Sequence, residues 1–253
     1  MRILTFVSLL LFLLFGCKSN NSIKILILSG SNNHEWQETT PFLEDLFMAG
    51  GIFKTDVTNQ PDTLNYDIIK NYDVIVNNWN SWPENDIRWN SELESGILNF
   101  VNKGGGLVFF HASTSVFYKW PEFREITIAS WEEKTGHGKN DTVKVFIENK
   151  THPVTKGISD FKIFDELWIN ARENENFNVL GSATDKTQKA AGNKNQPAIF
   201  VKEEGDGRIF HTILGHDVEA MESEGFKQLI LRGTEWAATG KVTMKLSNEL
   251  KVE

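Results

Sequence analysis

Cysteine is all but missing from this chain. Cys17 is the only one in 253 residues, and it precedes the part that reads as a folded domain. A domain without cysteine has no disulfide, no thiolate nucleophile and no thiolate metal ligand. Basic tracts are missing too. The formal net charge is −8 with no run of Lys and Arg to interrupt it, which excludes the positive face that a nucleic-acid groove needs. Long apolar runs are also lacking. The one candidate, Ile3–Phe15, falls well short of the ~20 residues that cross a bilayer as a helix. No HExxH or similarly spaced pair occurs, so no local motif announces a bound metal.

What is present begins with that short apolar run. It follows Met1-Arg2 and ends LLFGC at Leu13–Cys17, which resembles a bacterial lipoprotein signal with a bulky Phe15. The reading predicts removal of residues 1–16, acylation of Cys17, a polar stalk over residues 17–22, and an exported body tethered to the bacterial cell envelope. An ordinary secretory signal or an uncleaved anchor is the alternative. The remainder, with 40% hydrophobic and 24% charged residues over the whole chain, has the balance of one globular domain. That domain is expected over residues 23–241, with residues 242–253 as a C-terminal tail.

From Ile23 onward, strand-like and helix-like segments alternate. IKILILSG ends in a glycine turn, and Phe42, Leu43, Leu46 and Phe47 then recur at helical spacing before Gly50-Gly51. FKTDVT and NYDVIVNNW follow as strands. Leu93, Ile97, Leu98 and Val101 mark a second helix, closed by the glycines at 104–106 ahead of LVFFH. A last helix carries Phe226, Leu229, Ile230, Gly233 and Trp236 on one face. Short, continuously apolar strands alternating with helices predict an α/β fold: a mostly parallel sheet covered on both faces. The GDG at Gly205–Gly207 predicts a hairpin and so an antiparallel addition near the C-terminus.

Two of those strands stop at a histidine, His111 and His216, and strand ends are where ligands gather in such sheets. His34, just past the first strand and beside Glu35, and His137 in TGHGKND are placed to join them. His152, before Pro153, reads as a turn organiser, and His211, inside an alternating strand, as a packed residue. Asp165-Glu166 sits between Phe164 and Leu167-Trp168, where a buried carboxylate needs a partner: a cation, an imidazolium or a metal. Imidazoles with a carboxylate at a strand edge can act as acid–base equipment or as a divalent-metal site. Trp79, Trp82 and Trp89 lie in polar sequence, where they either stack on a sugar face or pack beneath a loop. Ser113 follows the turn too late to aim as a nucleophile.

The segments HPVTKGISDFKIFDELW, GGGLVFFHAST, KTGHG and GRIFHTILGHD, with GTEWAATG after them, together resemble the ThuA-like (trehalose utilisation) family from about Ile23 to Lys241. The resemblance implies the flavodoxin-like three-layer sandwich of the class I glutamine amidotransferase-like superfamily. In that superfamily a cysteine occupies the turn after the central strand and a histidine follows a late strand; the matching positions here are His111 and His216. Without the cysteine, glutaminase chemistry through a thiolate is excluded, and Asp217 stands where the superfamily has a proline-glutamate pair. The family implies a small saccharide as substrate, a disaccharide or a 3-keto glycoside; no cofactor is expected, with a divalent metal as the alternative. On that basis His111 and His216 are the expected acid–base pair and Glu166 orients one of them. His34, Glu35, His137, Asp217, Trp79 and Trp82 are expected on the substrate side. A tethered sugar-binding protein without chemistry, and a metal-dependent hydrolase, are the alternatives.

Overall fold

A computed structural model of the chain describes residues 22–84, 87–190 and 192–250. The signal segment and Cys17 lie outside the described residues. Nine strands form one sheet: β1 (Ile23–Leu28), β2 (Phe53–Thr58), β3 (Val74–Asn77), β4 (Gly106–Phe110), β5 (Asp141–Ile147), β6 (Phe161–Asp165), β7 (Asn178–Thr184), β8 (Gln196–Glu204) and β9 (Gly207–Thr212). Their order is β2-β1-β3-β4-β9-β8-β7-β5-β6. The first five in that order pair in parallel, and each pairing beyond β9 is antiparallel. β3 and β4 are buried throughout, as continuous apolar strands covered on both faces must be. β2, at the edge, keeps an alternating pattern with Lys54 and Asp56 exposed.

Three long helices cover the sheet: α1 (Trp36–Gly50), α2 (Ser91–Asn102) and α3 (Glu224–Thr239). Asn90 caps α2 by accepting the Leu93 N–H, and left-handed glycines stop α1 and α3 at Gly51 and Gly240. Alternation along β9 fixes the layers. Phe210 lies against Gly233 of α3, whereas a Cβ on Gly207 would stand 2.1 Å from the Val101 carbonyl oxygen of α2. Residues of opposite parity thus meet different helices, so α2 and α3 lie on opposite faces. α1 packs beside α3. The result is the expected flavodoxin-like three-layer sandwich.

The antiparallel addition is larger than a hairpin. Gly205-Asp206 does turn β8 into β9, with Glu204 opposite Gly207, but β7, β5 and β6 continue the sheet. In a flat sheet β6, four places from β9, would lie about 19 Å away at ~4.8 Å per strand. The Asp165 carboxylate at the end of β6 nevertheless accepts the Gly215 N–H at 2.8 Å and the His216 N–H at 3.1 Å. This half therefore curls back toward the loop after β9. Within it the register of β7 with β8 shifts around Leu180–Gly181, an irregularity of the bulge kind that bends and twists strands.

Residues 242–250, read from the sequence as a C-terminal tail, lie against the domain. Val242, Met244 and Leu246 pack against the core, and Leu250 is buried. Buried Glu235 accepts the N–H groups of Thr243 and Met244, while Arg232 donates to the carbonyls of Pro153, Val154 and Lys156. Two charged side chains of α3 thus fasten the segment and the turn at His152. Among the described residues, no helix is long and apolar enough to cross a membrane.

Candidate functional site

The site forms at the carboxyl edge of the parallel strands. β4 ends at Phe110, and His111 turns the chain with φ +38°, a left-handed conformation costly for a side chain of this size. The short turn His111–Thr114 is fixed from within by Ser113, whose hydroxyl accepts the Phe110 N–H at 3.0 Å. That bond spends the serine on structure. The His111 ring is only 1% exposed, and its Nδ1 lies 3.0 Å from the Ile213 carbonyl oxygen. A carbonyl oxygen can only accept, so Nδ1 carries the proton and Nε2 presents a lone pair.

That lone pair faces His216 Nδ1 at 3.2 Å. Glu166 Oε2 lies 3.5 Å from the same His216 nitrogen and 3.7 Å from His111 Nε2. The other Glu166 oxygen is 2.7 Å from His137 Nδ1. His34 completes the group, its ring centre 5.0 Å from that of His111 and 4.4 Å from that of His216. His34, His111 and His216 each bring a nitrogen within 4.8 Å of the others, close enough for one cation to bridge.

Two buried polar residues hold these parts together. Asp165 accepts the Glu166 N–H as well as those of Gly215 and His216, locking the end of β6 to the loop after β9. Asn80 donates to Asn32 Oδ1 at 2.7 Å, Asn33 Oδ1 at 2.9 Å and the Ala112 carbonyl at 3.1 Å. It thereby ties together the loops that follow β1, β3 and β4.

Charge is divided unevenly among these groups. Burial, and then the neighbouring His216, lowers the pKa of His34 to about 4. Burial also holds His111 well below the usual histidine range, with His34 and His216 adding to the effect. For His216 burial pulls downward, but the hydrogen bond and charge of Glu166, with Asp217 and Asp165, outweigh it and raise the pKa. Glu166 shows the converse: burial pushes up, and His216, His137 and His34 together pull its pKa below the usual value. Burial carries Asp165 up to about 7 against its three N–H donors. Near neutral pH, His34 and His111 are uncharged imidazoles beside an anionic Glu166.

These groups border a cleft of about 190 Å³ whose titratable lining is His34, His137 and Glu166. Trp82, Trp131 and Trp168 wall it, and Asn33, Ala112 and Ser115 complete it. Trp131 bridges the wall, with ring centres 5.3 Å from Trp168, 5.6 Å from His137 and 6.2 Å from Trp82. A wider hollow of about 880 Å³ lies beside Pro153 and Leu246, but its charged lining is Lys156, Arg232, Lys241 and Lys245. Cations alone offer no acid–base pair, so chemistry rather than size singles out the smaller cleft.

Comparison with known proteins identifies the family of the chain. The family model described as "Trehalose utilisation", ThuA, matches residues 24–237. The chain belongs to the ThuA family. A ThuA-like protein from Parabacteroides merdae is 30% identical, with a TM-score of 0.79, covering 92% of this chain and 95% of that one. A ThuA-like protein from Bacteroides uniformis is 21% identical, with a TM-score of 0.66 over 87% and 94% of the two chains. A cytoplasmic protein from Salmonella typhimurium shares the fold at 15% identity, with a TM-score of 0.62 over 85% and 99%. Curated proteins yield no match.

Within the ThuA domain, then, His34, His111, His137, Glu166 and His216 converge. Other expected site residues do not join them. Trp79 is 7% exposed and stacks on Phe117 with Trp89 beside it, so it is core and presents no face to a sugar. Asp217 spends a carboxylate oxygen capping the short helix Val218–Met221 through the Ala220 N–H. Glu35 is exposed at the start of α1, where its carbonyl receives the Glu38 and Thr39 N–H groups. Trp82, 37% exposed, does wall the cleft. His152 accepts the Val154 N–H inside its turn, and His211 is fully buried. The sequence reading missed Trp131, Trp168 and the asparagines. The one signal for the latter was the repetition of Asn directly after two strands, in SNNH and NNWN.

Proposed function

We propose that this ThuA protein is an enzyme of saccharide utilisation that moves protons on an oxidised sugar, a 3-keto glycoside. The observation that carries the reading is the His137–Glu166 pair in the tryptophan-walled cleft. His137 Nδ1 lies 2.7 Å from Glu166 Oε1 and 2.8 Å from the Gly138 carbonyl oxygen. Both partners accept, so Nδ1 carries the hydrogen and Nε2 keeps a lone pair. His137 is thereby oriented as a base on a ring that is 43% exposed. The family's description, trehalose utilisation, supports a saccharide substrate, and Trp82 and Trp131 on the cleft supply flat apolar faces for one, with Trp168 buried behind them.

A ketone at C3 of a sugar ring acidifies the hydrogen on C2. His137 Nε2 takes that proton, the C–H electron pair becomes the C1–C2 double bond, and the glycosidic C1–O bond breaks. The departing oxygen then receives the proton from the imidazolium, so the elimination needs no outside oxidant or acid. Direct glycoside hydrolysis fits less well, because it needs two carboxylates flanking the bond, and Glu166 is the one carboxylate on the described lining. Of the two histidines expected as the acid–base pair, His216 hydrogen-bonds Glu166 and holds its pKa down, and His111 Nε2 lies 3.7 Å from Glu166 Oε2.

The test is release of the second sugar from a 3-keto disaccharide by purified protein. His137→Gln and Glu166→Gln should each lower kcat by about 100-fold or more, the range of general acid–base catalysis, with unchanged circular dichroism. Calorimetric binding of the sugar without product would reduce the protein to a binding module and overturn the catalytic reading.

A further inference from the structure

Three imidazoles pressed together beside Glu166 take no proton from the substrate in that chemistry. We propose that His34, His111 and His216 bind a divalent transition-metal ion, zinc by the best fit, with Glu166 as the carboxylate beside its fourth position. The inference rests on the reading above: the ion would stand next to the saccharide cleft, within reach of a sugar carbonyl or hydroxyl oxygen.

The argument is geometric. Zinc binds imidazole nitrogen at about 2.0–2.1 Å in tetrahedral sites, which sets adjacent donor atoms roughly 3.3 Å apart. His111 Nε2 and His216 Nδ1 are 3.2 Å apart, and Glu166 Oε2 lies 3.5 and 3.7 Å from the two. Three donors from three different loops thus already have the edge lengths of a coordination polyhedron. His34 adds another nitrogen inside the same 4.8 Å span.

Each donor is also held from behind. His111 gives its Nδ1–H to the Ile213 carbonyl, the backbone anchor that typically fixes the tautomer of a ligating histidine. The His216 backbone is pinned through Asp165, and the His34 N–H through Asn32 Oδ1 at 2.9 Å. Nitrogen and oxygen donors without sulfur suit zinc and its first-row neighbours better than soft cations. The site escapes a sequence motif because each ligand follows a different strand.

The experiment starts from protein treated with a chelator and dialysed, then titrated with Zn²⁺ by calorimetry and with Co²⁺ by visible absorption. One equivalent should bind, and Co²⁺ should develop d–d bands of four-coordinate intensity. His34→Gln, on a partly exposed ring, and His216→Gln should each weaken Zn²⁺ binding by about 100-fold. Folding of both is checked by circular dichroism, and His152→Gln, distant from the cluster, should bind as the wild type does. Binding below one tenth of an equivalent, or affinity unchanged in both cluster variants, would overturn the proposal. Turnover of the 3-keto disaccharide is assayed separately in zinc-loaded and chelated protein. Zinc binding without turnover keeps the metal site and rejects the enzyme; turnover by chelated protein that binds no zinc does the reverse.

Discussion

His211 and His216 belong to one strand-and-loop segment, yet their surroundings drive them to opposite charge states. His211 lies between the rings of Phe109 and Phe200, and its one polar contact is the Ala129 N–H, received at Nδ1. Burial alone lowers its pKa from 6.5 to about 3. His216 is also desolvated, but Glu166 stands beside it, and its pKa rises. The consequence for stability has a definite sign. Below pH 6.5 the unfolded chain binds a proton at position 211 that the folded chain refuses until about pH 3. This contribution is therefore complete above pH 6.5 and lost as pH falls, at about 1.4 kcal/mol per unit. His211→Asn keeps an acceptor near the Nδ1 position and cannot titrate. Urea unfolding at pH 6.5, 5.5 and 4.5 should show wild type losing about 1 kcal/mol more than the variant over the first unit and about 1.3 kcal/mol more over the second. Other groups titrate in this interval, so the difference between the two proteins is the readout, and parallel curves would refute the assignment. The neighbours of His211 in sequence already marked it as packed. Glu166 was similarly readable, because a carboxylate between Phe164 and Leu167 requires a partner. Trp79 was not, because polar neighbours in sequence conceal that its ring turns inward onto Phe117.

The loops hold the site only as well as Asn80 holds the loops. Its amide is fully buried and donates to Asn32, Asn33 and Ala112, while its oxygen accepts the Trp82 N–H at 3.0 Å. The Ala112 carbonyl cannot reverse its role, so the donor side of Asn80 is fixed by its surroundings. Asn80→Asp keeps the shape but sets a carboxylate oxygen against acceptors in a buried place, at a cost of about 3 kcal/mol or more. Asn80→Ala only deletes the bonds and should cost less. Equilibrium unfolding midpoints should therefore fall in the order wild type, Asn80→Ala, Asn80→Asp; an aspartate no worse than alanine would contradict this picture of the network. The parallel strands, the long helices and the Gly205-Asp206 turn were legible because each is dictated by local periodicity or turn chemistry. The junction of Asp165 with Gly215 and His216 was not. It joins groups 50 residues apart in the chain, and a contact at that separation does not follow from the local pattern. Hence Glu166 could be named as a candidate from sequence while its 2.7 Å partner, His137, was assigned only to the substrate side.

The complete molecule joins two halves that could not make the site separately. The parallel half supplies His34, His111 and His216 from loops after β1, β4 and β9, while the segments between β4 and β7 supply Trp131, His137, Glu166 and Trp168. Residues 242–250 fasten onto α3 through packing and through Glu235. Whether the folded body is tethered to a membrane is a separate physical question. The reading of Leu13–Cys17 as a lipoprotein signal assigns attachment to Cys17, and the composition says what kind of attachment could suffice. A single acyl chain binds membranes only marginally unless a second chain or a polybasic patch assists it. This chain carries a net charge of −8, so on that reading attraction to anionic lipid would offer no help and acyl chains would have to supply the anchoring alone. Cells given labelled palmitate should therefore label the wild-type protein, which should stay with the membrane fraction through a high-salt wash, because salt screens only electrostatic contacts. Cys17→Ser should carry no label, and its folded body should no longer depend on acyl chains for its location. An unlabelled wild type, or release of the wild type by salt, would mean that Cys17 is not the anchor.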